Sequence, residues 1–148
     1  MMNLTHSLIW MFFGSIIIGI FFNGMNILAY RYSDLYLSLT LVYSALLMAI
    51  NMCILEIFMY YSHSNELKYN LLLLFIILMI LTIFLLREQY FVNDNQWLKR
   101  MISHHSTALT TSYKIKNKTN NKKIKKLAQN IIDTQKKEIN IMKNLLNN

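Results

Sequence analysis

Long apolar runs fill the first 87 residues of the chain. Three stretches are almost uninterrupted apolar sequence: residues 8–28, 36–61 and 69–86. In a helix that rises 1.5 Å per residue, each stretch is long enough to cross a hydrocarbon layer of about 30 Å. The pattern therefore predicts three transmembrane helices, joined by short polar segments around Arg31 and Lys68.

The pattern changes after residue 88, where amphipathic spacing replaces continuous apolar sequence. Asn93 and Asn95 are N-cap candidates, and apolar or small residues then recur every three or four positions from Trp97. This spacing predicts a helix over residues 95–113.

A second amphipathic helix is predicted over residues 122–146. The Lys- and Asn-rich stretch before it, residues 114–121, has no apolar period and is predicted to be a loop. The second helix carries one stripe at helical spacing: Leu127, Ile131, Gln135, Glu138 and Met142. Its apolar flank is widened by Ile124, Ile132, Ile139 and Leu146. A short connection favours antiparallel packing. The predicted fold is all-α, with three transmembrane helices (residues 1–88) followed by a two-helix amphipathic hairpin (residues 89–148).

Composition and charge support this division. The chain has 148 residues, 55% of them hydrophobic, with a mean hydropathy of +0.31, which leaves too little polar surface for an ordinary soluble domain. Its net charge is +8, and 13 of its 15 Lys and Arg residues lie from Arg87 onward. Close to the spans, Arg31, Arg87, Lys99 and Arg100 fall on one side of the membrane, against Lys68 on the other. The tail is therefore predicted to be cytoplasmic and the N-terminus outside.

Two adjacent histidines are the first candidates for chemistry. Antiparallel register brings side chains of metal-ligand type to one level of the hairpin: Met101, His104, His105, Gln135, Glu138 and Met142. Adjacent helical positions diverge by about 100°, so one histidine should face the hairpin and the other a second subunit. The alternative is that both histidines are hydrogen-bonded core or interface residues.

The hairpin resembles a known family. The resemblance rests on the motif Met-Ile-Ser-His-His-Ser followed by Ala108, Leu127-Ala128, Ile131-Ile132, Gln135, Glu138-Ile139 and Met142. This pattern is similar to the domain of unknown function 305 family (DUF305), and three spans ahead of the domain are typical of its membrane-bound branch. The resemblance implies a ferritin-like hairpin or bundle and a role in copper binding or copper tolerance.

The residues after the histidines depart from the family pattern. Copper-binding relatives commonly have Gln and Met there, whereas this chain has small hydroxyl residues: Ser106, Thr107, Thr110 and Thr111. Imidazole with Gln or Glu suits Cu(II) or zinc at least as well as Cu(I). The cofactor expected from the sequence is therefore copper or zinc.

A second possible cluster lies at the membrane. Helical spacing along the second span and hairpin register with the first span group six residues: His6, Met48, Met52, Glu56, Met59 and His63. A glutamate in a membrane helix is costly, so it is a candidate for function. The alternative is that the methionines fill space and Glu56 reaches the interface or pairs with His6.

A run of lysines is predicted at the tip of the hairpin: Lys114, Lys116, Lys118, Lys122, Lys123, Lys125 and Lys126. Such a cluster can contact anionic lipid, in a manner that salt weakens. Base-specific nucleic-acid binding is not expected, because the run lacks interleaved aromatics and a recognised motif. A solvated charge run is the alternative.

The chain is expected not to be an enzyme, because it has no phosphate-binding glycine loop and no His-Glu-x-x-His pattern.

A lone two-helix hairpin buries little apolar area, so a homo-oligomer, first of all a dimer that forms a four-helix bundle, is predicted. The rival function is structural: a membrane protein whose hairpin serves assembly within a larger complex or particle, with no metal.

Overall fold

The computed structural model describes residues 3–147, and every regular element in that range is helical. The α-helices in chain order are α1 (Leu4–Phe21), α2 (Gly24–Ile27), α3 (Leu39–Ser64), α4 (Tyr69–Arg87), α5 (Asp94–Lys118) and α6 (Lys122–Asn147). One 3₁₀ turn, Tyr32–Asp34, precedes α3. The chain forms two compact units, one of residues 3–22 and 39–91 and the other of residues 23–38 and 92–147. The all-α prediction is confirmed.

The first unit contains helices α1, α3 and α4, which are candidates to span a membrane. Three candidate spans are long and apolar enough to cross a bilayer: Leu4–Ile27, Leu39–Ser64 and Tyr69–Arg87. Helix α3 packs against both α1 and α4, and the buried cluster consists of Leu4, Leu8, Cys53 and Ile57. Outward-facing apolar side chains along α1 and α4 suit a lipid environment. The three predicted spans are therefore confirmed as helices, although α1 begins at Leu4, where Asn3 caps it, and ends at Phe21.

Helices α1 and α3 lie close together at Gly19. A Cβ atom added at Gly19 would lie 3.0 Å from both the Cα and the Cβ of Ala45, and 3.0 Å from the Cε of Met48. A small residue at this position lets the two helices pack with their backbones close together. Gly14, on the same helix, has open space where a Cβ would be added.

We expect Gly19→Ala to lower the thermal stability of the detergent-solubilised chain, whereas Gly14→Ala leaves it unchanged or raises it. The helix preference of alanine over glycine is worth up to about 1 kcal/mol at either position. At Gly19 the backbone of Ala45 must move to accept the methyl group, which outweighs that gain. Thermal unfolding of the two variants side by side measures the difference, and equal stabilities would contradict the close contact.

The hairpin of the second unit is built from α5 and α6. The buried residues between them are Leu98, Ile102, Leu109, Ile132, Ile139 and Met142. Asn93 caps α5 by accepting a hydrogen bond from the backbone N–H of Gln96 at 3.0 Å. The two-helix amphipathic hairpin predicted from the sequence is therefore present.

The prediction of a loop over residues 114–121 is wrong for its first five residues. Helix α5 continues to Lys118, and only residues 119–121 separate it from α6. Lysine is a good helix former, and cations in the last turn are favoured by the helix dipole. Asn121 then begins α6 by accepting a hydrogen bond from the backbone N–H of Lys123 at 2.9 Å.

Segment 23–38, which joins α1 to α3, belongs to the same compact unit as the hairpin. Hydroxyl groups on one side of α5 form hydrogen bonds with the backbone of segment 23–38. Ser106 Oγ accepts a hydrogen bond from the N–H of Tyr30 at 2.9 Å, and Ser103 Oγ donates to the carbonyl of Asp34 at 2.9 Å. Thr107 donates to the carbonyl of Met25 at 3.1 Å. The division of the chain at residues 88 and 89, drawn from the sequence, did not include this segment with the hairpin.

Candidate functional site

His105 lies on the side of α5 that faces α6. It is spaced three and four residues from Ile102 and Leu109, which are both buried, and is itself only 8% exposed. Its Nε2 lies 2.9 Å from Oε2 of Glu138. This hydrogen bond links α5 to α6.

The other ring nitrogen of His105 has no hydrogen-bond partner within residues 3–147. Nδ1 is buried. A histidine that donates one N–H to a carboxylate and leaves the other nitrogen bare is the usual form of a metal-binding histidine. His105 and Glu138 have this arrangement, and binding of copper or zinc by them stays a prediction.

His104 points away from α6. It is exposed, and its ring centroid lies 6.0 Å from that of His105. Partial burial, followed by the charges of Arg100 and His105, lowers the pKa of His104. The side chain is therefore more readily neutral than an ordinary histidine, which is the form that can bind a metal.

The remaining four predicted ligands are divided between the core and its edge. Met142 is buried in the hairpin core, and Met101 packs against that core. Gln135 is half-buried, while the side chain of Glu138 is 46% exposed. The structure thus joins His105 to Glu138 directly. Within residues 3–147 of one chain, no group of three or more His, Cys, Asp or Glu residues is arranged to hold a metal ion.

The stripe predicted on α6 is partly wrong. Most of the residues that pack on α5 follow the stripe residues by one position, so the buried face is rotated around the helix from the predicted one. The buried residues are Ala128, Ile132, Ile139 and Met142, whereas Leu127 is 58% exposed. The apolar arc of α6 is wide enough that only part of it is covered by α5.

The uncovered part of the hairpin has apolar side chains on both helices. We call it the open face, and it comprises Trp97, Met101, His104, Ile115, Ile124, Leu127, Glu138 and Leu145. Helical spacing places these residues on the side of the hairpin away from Ser103 and Ser106, which hold segment 23–38. His104 and Glu138 therefore share one face and one level.

The second predicted cluster is only partly brought together. Glu56, Met59 and His63 line a cavity of about 640 Å³ in the first unit. Glu56 accepts a hydrogen bond from Ser7, and His6 is exposed. Of the other two, Met48 lies near Gly19, and Met52 is half-buried on α3.

The predicted lysine run occupies the last turns of α5 and the first turns of α6. Lys116 bonds to the side-chain oxygen of Gln129 and is half-buried. The other six lysines are exposed. The run therefore lies around the turn of the hairpin, as predicted, and contact with anionic lipid stays a prediction.

Sequence reasoning missed the buried ion pair of Asp34. Asp34 is 2% exposed, accepts a hydrogen bond from the Ser106 hydroxyl at 2.7 Å and forms an ion pair with Lys143. The sequence signal is the row of small hydroxyl residues on one side of α5, which includes Ser103, Ser106 and Thr107. Ser106 and Thr107 stand in positions where the resemblance raised a question about ligands, and Ser103 and Ser106 bind Asp34.

Comparison with known proteins adds the family. The family described as a domain of unknown function (DUF305) matches residues 87–147, which include both histidines and Glu138. An uncharacterized protein, L153, of Acanthamoeba polyphaga mimivirus is 36% identical over 126 residues, which are 85% of this chain and 82% of that protein. The chain belongs to the DUF305 family. No solved structure matches it.

In this DUF305 protein, the matched region begins at the end of α4 and covers the whole hairpin. The His105 and Glu138 pair therefore lies within the family domain. Segment 23–38 lies ahead of that domain in sequence. It nevertheless packs on the hairpin and belongs to the same compact unit.

Proposed function

We propose that this DUF305 protein self-associates through the open face and binds a copper or zinc ion between two copies. One observation carries the proposal: His105 is turned toward Glu138 inside the hairpin, whereas His104, one residue earlier, lies on the open face at the same level. One chain therefore presents His104 and Glu138 on the open face, with His105 bonded to Glu138 from inside the hairpin.

The register of the hairpin supports a two-fold dimer. A two-fold axis parallel to the helices would place α5 of one copy over α6 of the other and keep every residue at its own level. His104 would then face Glu138 of the partner subunit. The same contact would cover apolar side chains that one copy leaves exposed, such as Trp97 and Leu127.

The chemistry of the residues suits a borderline metal ion. On the open face, the carboxylate of Glu138, which the ring of His105 holds in place, and the imidazole of the partner's His104 can offer ligands to one ion. Imidazole and carboxylate ligands fit zinc or Cu(II), and the bound ion would link the two hairpins and sequester the metal at the membrane. No catalytic step is required of these residues.

Cysteine cross-linking tests the dimer independently of metal. Both copies carry Cys53→Ser, one has His104→Cys and a first tag, and the other has Glu138→Cys and a second tag. We expect a disulfide-linked heterodimer in mild detergent, because the two positions face each other across the axis. Replacing Glu138→Cys by Lys137→Cys, one residue away and about 100° around α6, should abolish the cross-link. Equal cross-linking of both pairs would refute the arrangement.

Elemental analysis of the full chain, purified without chelator or added metal, tests the site. Removing either His104 or His105 by substitution with alanine should lower metal affinity by roughly tenfold or more. The matched control is His63→Ala, an exposed histidine in the first unit, which should retain the metal. Metal content that is unchanged in both hairpin variants, or lost only in His63→Ala, would refute the site.

A second candidate function is assembly without metal, and the exposed apolar side chains of the open face favour it. In that case Leu127→Asp should abolish the cross-link and His105→Ala should retain it, while both histidine variants leave metal content unchanged. The two experiments thus distinguish failure of the metal site from failure of the dimer.

A further inference from the structure

A cavity of about 170 Å³ lies in the second unit on the side of the hairpin that carries segment 23–38. Segment 23–38 supplies Tyr30, Arg31 and Asp34, and α6 supplies Lys136, Asn140 and Lys143, while two apolar side chains complete the wall. All of these elements belong to one compact unit. The open face and the histidines are not part of this cavity.

The cavity has an excess of positive charge. Lys143 is paired with Asp34, which leaves Arg31 and Lys136 without a salt bridge to any carboxylate within the described residues. Three cations against one carboxylate give two positive charges in excess around a small volume. An anion in the cavity would therefore be attracted by charges that the fold itself does not neutralise.

Lys136 is held in place by aromatic rings. Its Nζ lies 5.3 Å from the ring centroid of Tyr113, which stacks on Tyr30 with a centroid distance of 5.2 Å. A hydrogen bond to Tyr113, together with the charges of neighbouring groups that include Asp133, raises the pKa of Lys136. The Tyr113 ring thus attracts one cation beside the cavity.

The donors and the size of the cavity suit a phosphate group. Arginine presents a planar fork that matches phosphate oxygens, and lysine adds a point charge. The Asn140 amide and the Tyr30 hydroxyl add neutral hydrogen-bonding groups to the wall. A volume of about 170 Å³ is below the roughly 300–1,000 Å³ of pockets for larger organic ligands, so a nucleotide would not fit.

Chain connectivity supplies a source of phosphate. Segment 23–38 joins α1 to α3, so both of its ends continue into helices that are candidates to span the membrane. Basic residues close to membrane spans attract anionic headgroups. We propose that this cavity binds a phosphate group, either that of an anionic lipid headgroup or free phosphate, through Arg31 and Lys136.

The test uses the full chain, freed of lipid in neutral detergent and titrated with two probes: a short-chain phosphatidic acid and inorganic phosphate. The pocket variant Arg31→Gln/Lys136→Gln removes two exposed cations that form no ion pair, and the tip variant Lys114→Gln/Lys118→Gln removes the same charge from the lysine run. We expect the pocket variant to weaken binding of the phosphatidic acid by roughly tenfold or more. The tip variant should bind within twofold of the parent chain.

Hydrogen exchange of the unmutated chain gives a second readout that needs no variant. Phosphatidic acid should slow amide exchange in residues 30–34 and leave residues 119–121 unchanged. Binding of both probes would assign the site to the phosphate group alone, and binding of the phosphatidic acid alone would assign it to a lipid headgroup. Equal weakening by the pocket and tip variants, or absence of binding by both probes, would overturn the proposal.

Discussion

Replacing Ile132 by alanine is expected to lower the free energy of unfolding of the hairpin by about 3 kcal/mol. Ile132 is 1% exposed and lies in the buried cluster with Ile102 and Ile139, so alanine leaves a cavity between α5 and α6. Hydrogen exchange of α5 and α6 in the full chain, in mild detergent, measures the loss as faster exchange across both helices.

Leu127→Ala is the matched control for Ile132→Ala. Both residues are apolar and lie on α6 five positions apart, but Leu127 is 58% exposed. At a protein concentration low enough to keep the chain monomeric, where the open face is uncovered, its substitution should change the stability of the hairpin by no more than about 0.5 kcal/mol. If Leu127→Ala were as destabilising as Ile132→Ala, the face assigned to the core would be wrong.

These two residues show where sequence reasoning was sufficient and where it failed. The spacing of apolar residues predicted α6 and its antiparallel partner, because a helix that buries one side must repeat apolar residues every three to four positions. It did not identify which part of a wide apolar arc packs on α5. That depends on the rotation of each helix, which is set by the fit of side chains in three dimensions.

The candidate site was predicted in part. The sequence grouped His105 with Glu138 by antiparallel register, and the structure joins them at 2.9 Å. Side chains at adjacent positions of a helix point about 100° apart, so the different orientations of His104 and His105 were predicted from helix geometry. The burial of Met142 in the hairpin core could not be predicted, because methionine occurs both as a space-filling core residue and as a metal ligand.

Segment 23–38 was beyond the reach of sequence patterns. It has no long helix, and hydrogen bonds from Ser103 and Ser106 fix its position across about 70 residues of sequence. Periodicity detects contacts within an element and between faces, not single polar pairs at long range. The sequence patterns therefore gave no role to Asp34.

Asp34→Ala is expected to release segment 23–38 from the hairpin. The substitution removes the ion-pair partner of Lys143 and the acceptor of the Ser106 hydroxyl, both of which are at least partly shielded from water. Breaking a buried pair typically costs about 3–5 kcal/mol, and the lower end applies because the side chain of Lys143 is 26% exposed. Amide exchange in residues 30–38 should accelerate more than exchange at the centres of α5 and α6.

Two comparisons make this result specific to the ion pair. Asp133→Ala removes an exposed carboxylate on α6 that bonds to Gln129 one turn away, and it should leave exchange in segment 23–38 unchanged. The double variant Asp34→Leu/Lys143→Met replaces both charges by apolar groups and should recover part of the loss, because no unpaired charge remains. If Asp34→Ala leaves exchange in this segment unaltered, backbone hydrogen bonds to Ser103 and Ser106 are sufficient to hold it, and Asp34 is not its anchor.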